Sequence, residues 1–429
     1  MTDVAQGGGE FVTLLRSKPI VAAFAVSGAL AIGACGSSSS SSSSGSGAGA
    51  TSSAAATSSA AATSSAAAPS ISASSFTNDF SAMSQLKSLA GAGKGKIAAI
   101  LPDTTSSTRY VEFDQPDIKK ALLAAGVPAS DIIIQNAQKS DQTFLTDAQS
   151  DITNGASIIL SDPEDSGTGS QVEKYANAHG AKVIDYDRLT LGGSRPYYVS
   201  FNNVTVGKVM GQGLQACVTS EGVKNPQVIV MRGDPTDNNA TLFYQGYYDG
   251  VLQPLFKGGQ WKQVASPAGT WDPPTAATEF EQAYTAHKTA NAALIPNDEN
   301  GAPIITYLKS HGVKPNTFPT TGQDATLTGL QNILTGYQCG TVYKPIYAEA
   351  QAAVALALYL RAGKTPPASL LNGSTQDIKE KKAVPSVLLK PEWVTSKNMN
   401  DTVIKDNFVP SSQLCAGSYA AACKKAGIS

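Results

Sequence analysis

Six short apolar runs in this chain of 429 residues each end on an amide, a carboxylate or a cation. Thr108-Arg109-Tyr110 follows Ile97–Leu101, and Asp185-Tyr186-Asp187-Arg188 follows Val183–Ile184. Asp234 to Asn239, with Asp237, follows Val228–Met231, and Asn297-Asp298 follows Ala292–Ile295. Gln323-Asp324 follows Phe318–Thr321, and Val342-Tyr343 runs into Lys344. Carboxylates and amides make paired hydrogen bonds with vicinal hydroxyls, while Arg and Lys donate to ring and hydroxyl oxygens. The set therefore suits a neutral, polyhydroxylated ligand.

Other chemistries find less support. His179, His287 and His311 fall near expected helix ends, lack metal-ligand spacing and read as solvated. The five Cys form no CxxC pair and no HExxH is present, so no metal site is expected. A phosphate-cradling loop ending in Lys-Ser or Lys-Thr is missing. Gly211-Gln-Gly213 follows the wrong element for a dinucleotide fingerprint, so no cofactor is expected. A net charge of −1 and a pI near 6.3 argue against nucleic acid as a partner.

Strand ends need strands. Ile97–Leu101, Ile132–Ile134, Ser157–Leu160, Lys182–Asp185, Gln227–Met231 and Ala292–Ile295 read as buried strands. Amphipathic stretches over Gln115–Gly126, Asp141–Asn154, Ser170–His179 and Ile346–Ala362 read as the helices between them. Continuous apolar strands alternating with helices predict an α/β protein with parallel sheets covered on both faces, in two similar lobes. In such sheets ligands bind beyond the carboxyl ends of the strands, where the polar residues above stand.

The N-terminus predicts export. Arg16 and Lys18 precede the uncharged run Pro19–Ala34, too short for a comfortable membrane span, and small residues precede Cys35. Ile32-Gly33-Ala34-Cys35 resembles a bacterial lipobox, which makes residues 1–34 a signal peptide and Cys35 the lipidated N-terminus. Gly36 to about Ser75 is almost wholly Ser, Ala, Gly and Thr. Such a segment cannot offset its ordering entropy and reads as a tether, reaching roughly 35 Å on average. The expected location is extracytoplasmic, lipid-anchored at the outer face of the cell membrane. The even set Cys217, Cys339, Cys415 and Cys423 favours disulfides in an exported chain, with the pairing left open.

Tyr186-Asp-Arg188, Ser200-Phe-Asn-Asn203 with Val206-Gly207, and Asp237 through Phe243 resemble motifs of the type I periplasmic sugar-binding proteins. So do Asn297-Asp298, Gly322-Gln-Asp-Ala325, Thr341 through Ile346, Val384-Pro-Ser386 and Asp401 through Asp406. They occur in family order from about Lys94 to Val409, and the stretch beyond, with Cys415 and Cys423, is an unmatched extension. The resemblance implies two lobes, each a parallel sheet flanked by helices, joined by a three-crossing hinge. The N-terminal lobe would hold 94–202 and 345–385, and the C-terminal lobe 203–344 and 386–429, with residues 35–93 as tether and lead-in.

It also implies sugar contacts from Arg109, Asp187, Arg188, Asp237, Asn239, Asn297, Asp324 and Lys344. Trp271 falls where the family has a stacking Trp, and Tyr110 where it has an aromatic beside the first Arg. An aromatic ring suits the C–H face of a pyranose while polar groups meet its rim. Asp103 to Thr108 departs from the family, being rich in Thr and Ser where bulkier charged residues are usual. The implied function is the solute-binding component of a sugar ABC importer, monomeric, taking a monosaccharide (D-xylose first) to a permease and its ATPase. A sugar sensor feeding a chemoreceptor or kinase is the alternative. A glycosidase would need two carboxylates about 5–9.5 Å apart across a scissile bond, but Asp187, Asp237 and Asp324 all match binding roles, so no enzyme is expected.

Several of these residues have simpler readings. Asp187-Arg188 suits a surface pair or a cap, and Asn297-Asp298 a turn. Asp237 suits the N-cap of a helix through Phe243, and Asp324 the cap of one through Leu334. Trp271 alone suits packing between domains.

Overall fold

The computed structural model describes residues 69–428. The expected signal peptide, Cys35 and most of the expected tether lie outside them. Twelve strands follow one another: β1 Lys96–Leu101, β2 Ile132–Asn136, β3 Ala156–Ser161, β4 Lys182–Tyr186, β5 Tyr197–Phe201 and β6 Gln227–Val230. Then come β7 Lys262–Ala265, β8 Ala292–Leu294, β9 Thr341–Tyr343, β10 Gly373–Asp377, β11 Lys382–Leu389 and β12 Glu392–Val394. One sheet runs β10-β11-β5-β4-β3-β1-β2, parallel except for the β10–β11 hairpin. A second runs β7-β6-β8 in parallel, with Thr320 bridging Ala293 at its edge. β12 and β9 form an antiparallel pair that reaches this lobe through a Gln323–Val342 bridge. This is the expected two-lobed α/β architecture.

Local sequence explains the helices between the strands. Ser140 and Asn202 each cap the helix that follows by accepting a backbone N–H three residues on. The helix expected from Ser170 starts at Ser166, because Asp165 accepts from the amides of Gly167 and Thr168. The helix from Gln115 stops at Ala124, and Gly126 turns the chain out at φ 86°. Phe318–Thr321 makes no ladder, only the Thr320 bridge. Helix Ile346–Arg361 is apolar around nearly its whole circumference and is buried against β3, β4 and β5. In the second lobe, helix Asn203–Ser220 meets the next helical segment backbone to backbone. A Cβ on Gly207 would lie 2.0 Å from the Phe243 carbonyl oxygen, and one on Gly246 2.2 Å from that of Val204.

Two boundaries differ from expectation. Ser386 to Leu389 pair with Tyr198 to Phe201, so β11 stays in the large sheet past Pro385. Its Val387 and Leu389 are buried there, and the third crossing between lobes falls between Leu389 and β12. The tether also ends sooner than Ser75. Ile71 is 2% exposed, the Ser369 hydroxyl donates to its carbonyl at 2.8 Å, and Phe76, Phe80 and Met83 join the same core. Four apolar side chains within a Ser-rich run outweigh its composition. The pairs Cys217–Cys339 and Cys415–Cys423 are disulfides. The first ties helix Asn203–Ser220 to the segment before β9, and the second closes the C-terminal extension, which packs on helix Leu327–Leu334.

Candidate functional site

All ten residues expected to touch a ligand line one cavity between the lobes. They are Arg109, Tyr110, Asp187, Arg188, Asp237, Asn239, Trp271, Asn297, Asp324 and Lys344. Each comes from the carboxyl end of an extended segment, the loop beyond it or the first turn of the helix that follows. Ser106, Ser107, Phe243 and Gln323 complete the lining.

Arg109 is 2% exposed and makes charge-assisted bonds to three carboxylates. Its Nε and Nη2 grip Asp114 at 2.9 and 2.7 Å, Nη1 meets Asp187 at 3.0 Å, and Nη2 meets Glu349 at 2.6 Å. A guanidinium has five N–H groups, so one on Nη1 is left to face the cavity. Burial opposes the charge, but the three acids hold the Arg109 pKa well above its ordinary value. Burial pushes Glu349 up to about 8 against the pull of Arg109. Sequence reasoning did not select Asp114 or Glu349. A lone carboxylate inside the apolar helix Ile346–Arg361 was the available signal.

Asp187 and Arg188 are buried and do not pair with each other, which removes the surface-pair reading. Asp187 accepts from Arg109 and from the Tyr110 hydroxyl at 3.1 Å. Burial alone would raise its carboxyl, yet Arg109, Lys344 and Arg188 hold it below the ordinary value. Arg188 donates to Tyr110 at 3.2 Å and to Glu164 at 3.3 Å, with Asp162 and Asp237 at 3.7 and 3.9 Å. Asn239 donates to the Asp187 carbonyl at 2.9 Å and accepts from Asn203 at 2.7 Å, tying both lobes at the first crossing.

Asp237 does cap helix Asn238–Tyr244, accepting the Asn239 amide at 2.8 Å on Oδ1. Its Oδ2 accepts the Trp271 indole N–H at 3.0 Å, so the cap also aims the ring. Gly233 makes room for that ring, since a Cβ there would sit 2.2 Å from it. Phe243 meets Trp271 edge to face at 6.4 Å. Asn297 caps helix Asp298–Ser310 and still lines the cavity, whereas Asp298 turns into the core of its lobe.

Asp324 is not a helix cap. Thr326 caps helix Leu327–Leu334, leaving Asp324 on Lys344 at 2.8 Å and on the Ser107 hydroxyl at 3.0 Å. Asp324 and Asp187 hold left-handed backbones, at φ 86° and 55°. Such conformations cost energy for a side-chain-bearing residue, and they collect where a group must be aimed. At the lining, three cations (Arg109, Arg188, Lys344) face three carboxylates (Asp187, Asp237, Asp324). The balance suits a neutral ligand, and the indole supplies an apolar face.

The sequence profile of the periplasmic binding protein domain matches residues 97–365. The D-xylose-binding periplasmic protein of Escherichia coli K12 is 34% identical over 286 residues, covering 66% of this chain and 83% of the relative. The multiple sugar-binding periplasmic receptor ChvE of Rhizobium radiobacter is 30% identical over 338 residues, covering 75% and 93%. Among solved structures, a carbohydrate transporter solute-binding protein of Chloroflexus aurantiacus, in complex with D-glucose, superposes with a TM-score of 0.66. It is 25% identical, and the match covers 74% of this chain and 97% of that one. These relatives are binding proteins rather than enzymes, and no helix among the described residues is long and apolar enough to cross a membrane. The chain belongs to the type I periplasmic sugar-binding proteins of ABC-type transport, close to the D-xylose-binding proteins.

Proposed function

We propose that this chain is a lipid-anchored solute receptor that binds one monosaccharide, D-xylose first, and delivers it to an ABC permease with its ATPase. The carrying observation is the cavity itself: charge-balanced, lined from both lobes, and walled on one side by Trp271. Arg109, Asp187, Arg188, Asp237, Asn239, Asn297, Asp324 and Lys344 would take the hydroxyls and ring oxygen, with Tyr110 and Trp271 against the C–H faces. Similarity to D-xylose-binding proteins supports the choice of pentose. Micromolar binding of a pentopyranose asks about 8 kcal/mol of about ten heavy atoms, roughly 0.8 each and below the ~1.5 ceiling. Hinge closure about the three crossings would present both lobes to the permease.

Calorimetry over xylose, glucose, ribose, arabinose and galactose tests the ligand, and small-angle scattering tests closure. Micromolar xylose binding with compaction is the expected result; no heat with any of the five would reject the reading. Likeness to a protein named as a receptor supports a second role in sensing. Liganded protein that stimulates a reconstituted permease–ATPase decides for transport.

A further inference from the structure

The segment Asp103-Thr-Thr-Ser-Ser-Thr108, where this chain departs from its family, is folded by Asp103, which accepts the amides of Thr105 and Ser106 at 2.6 Å each. Three successive residues of the loop then meet three groups of the other lobe. The Ser106 carbonyl accepts from Asn297 Nδ2 at 2.9 Å, and the Ser107 hydroxyl donates to Asp324 at 3.0 Å. The Thr108 amide donates to Glu299 Oε1 at 2.8 Å, with the hydroxyls of Ser107 and Thr108 at 3.3 Å from the same oxygen. Asn297 and Asp324 line the cavity; Glu299 does not. A long side chain from one lobe thus meets short hydroxyl side chains and bare backbone on the other. The exposed Lys139–Asp272 pair also spans the lobes at 3.3 Å, but solvent screening leaves it little weight.

We infer that Glu299 is the latch of the closed state, a positioning residue that holds the Ser106–Thr108 loop down and slows release of the bound sugar without touching it. The inference rests on the proposed reading that the lobes close over a monosaccharide. Burial, with Asp324 and then Asp298 nearby, raises the Glu299 carboxyl well above its ordinary range, and the Thr108 amide only partly opposes this. A neutral acceptor therefore suffices at this position. Glu299→Gln keeps the acceptor for the Thr108 amide and gives up only the long 3.3 Å contact from Asn297 Nδ2 to Oε2, and Glu299→Ala removes both.

The test uses the full-length chain with D-xylose in stopped-flow and spin labels at positions 142 and 281, one on each lobe. Glu299→Ala should speed dissociation about 5- to 20-fold with association within about twofold, because a lost bond across a closed interface acts on release. Glu299→Gln should stay within about twofold of the parent in both rates. Interlobe distances are read with and without sugar. The short-distance population should shrink in Glu299→Ala and persist in Glu299→Gln. If xylose does not bind the parent, the proposed ligand fails and the latch is judged on those distances alone. Parental dissociation and distances in Glu299→Ala would overturn it, as would a parent with no short-distance population in either condition.

Discussion

The Lys344 ammonium stands 2.8 Å from Asp324 Oδ1, each side chain about 5% exposed, where the second crossing leaves β9. The pair joins a hinge residue to a carboxylate held at φ 86°, and the same carboxylate reaches Ser107 on the opposite lobe. On the proposed reading, closure and ligand contact share this one side chain.

Asp324→Ala should weaken D-xylose about 10- to 150-fold, since a hydroxyl loses its charged acceptor at a cost of roughly 1.5–3 kcal/mol. Helix Leu327–Leu334 keeps its cap at Thr326, so the loss is not a capping effect. Trp271→Ala should likewise weaken the sugar more than the fold. Calorimetric affinity beside denaturant unfolding reads both effects. Parental affinity with lowered stability in both variants would remove these residues from the site.

Much of this was legible in the sequence because strand ends announce themselves. A buried apolar run followed by Asp, Asn, Arg or Lys located every segment that lines the cavity except the one carrying Trp271, which the family resemblance supplied. What the sequence hid were the supports. Asp114 ends the short helical segment Tyr110–Asp114 and Glu349 lies in a helix that the structure shows to be apolar nearly all round, yet both fix Arg109. Strand β5 and the β10–β11 hairpin carry Tyr, Ser, Gln and Lys rather than a clean apolar run, so packing, not pattern, defines them. The latch escaped because hydrogen bonds between lobes leave no periodicity along either segment.

Cys35 carries the anchoring claim, and it is testable apart from the fold. Cys35→Ala should release the protein from membranes or block its processing. Fractionation and the mass of the mature N-terminus decide this. Unchanged membrane retention with normal processing at another site would remove the lipid anchor.

The two disulfides should differ in weight. Cys217–Cys339 spans 122 residues and Cys415–Cys423 only 8, and loop-closure entropy scales with the logarithm of that length. Replacing the first pair by Ser should cost about 5 kcal/mol, the second about 2.5 kcal/mol, both upper values. Unfolding midpoints in urea, with reduced parent as a control, measure the order. Equal losses would mean that strain or residual structure, not chain entropy, sets the effect.

Asp298 supplies a pH prediction. Its carboxyl is buried and accepts from Gln338 at 2.7 Å, the Thr326 amide at 2.9 Å and the Thr341 hydroxyl at 3.0 Å. Burial outweighs these donors and raises its pKa from 3.8 to about 7. The folded chain therefore binds a proton that the unfolded chain has lost across the window between those two values. Stability from this group is fully present at the acid end and falls as pH rises through about 7. Asp298→Asn cannot titrate, so the parent's advantage over it should shrink from pH 5 to about 7 and level off by pH 8, by at most about 3 kcal/mol. Urea unfolding of both proteins across that range gives the difference directly. An advantage that is flat or grows with pH would show that Asp298 is ionised in the folded chain, its three donors outweighing burial.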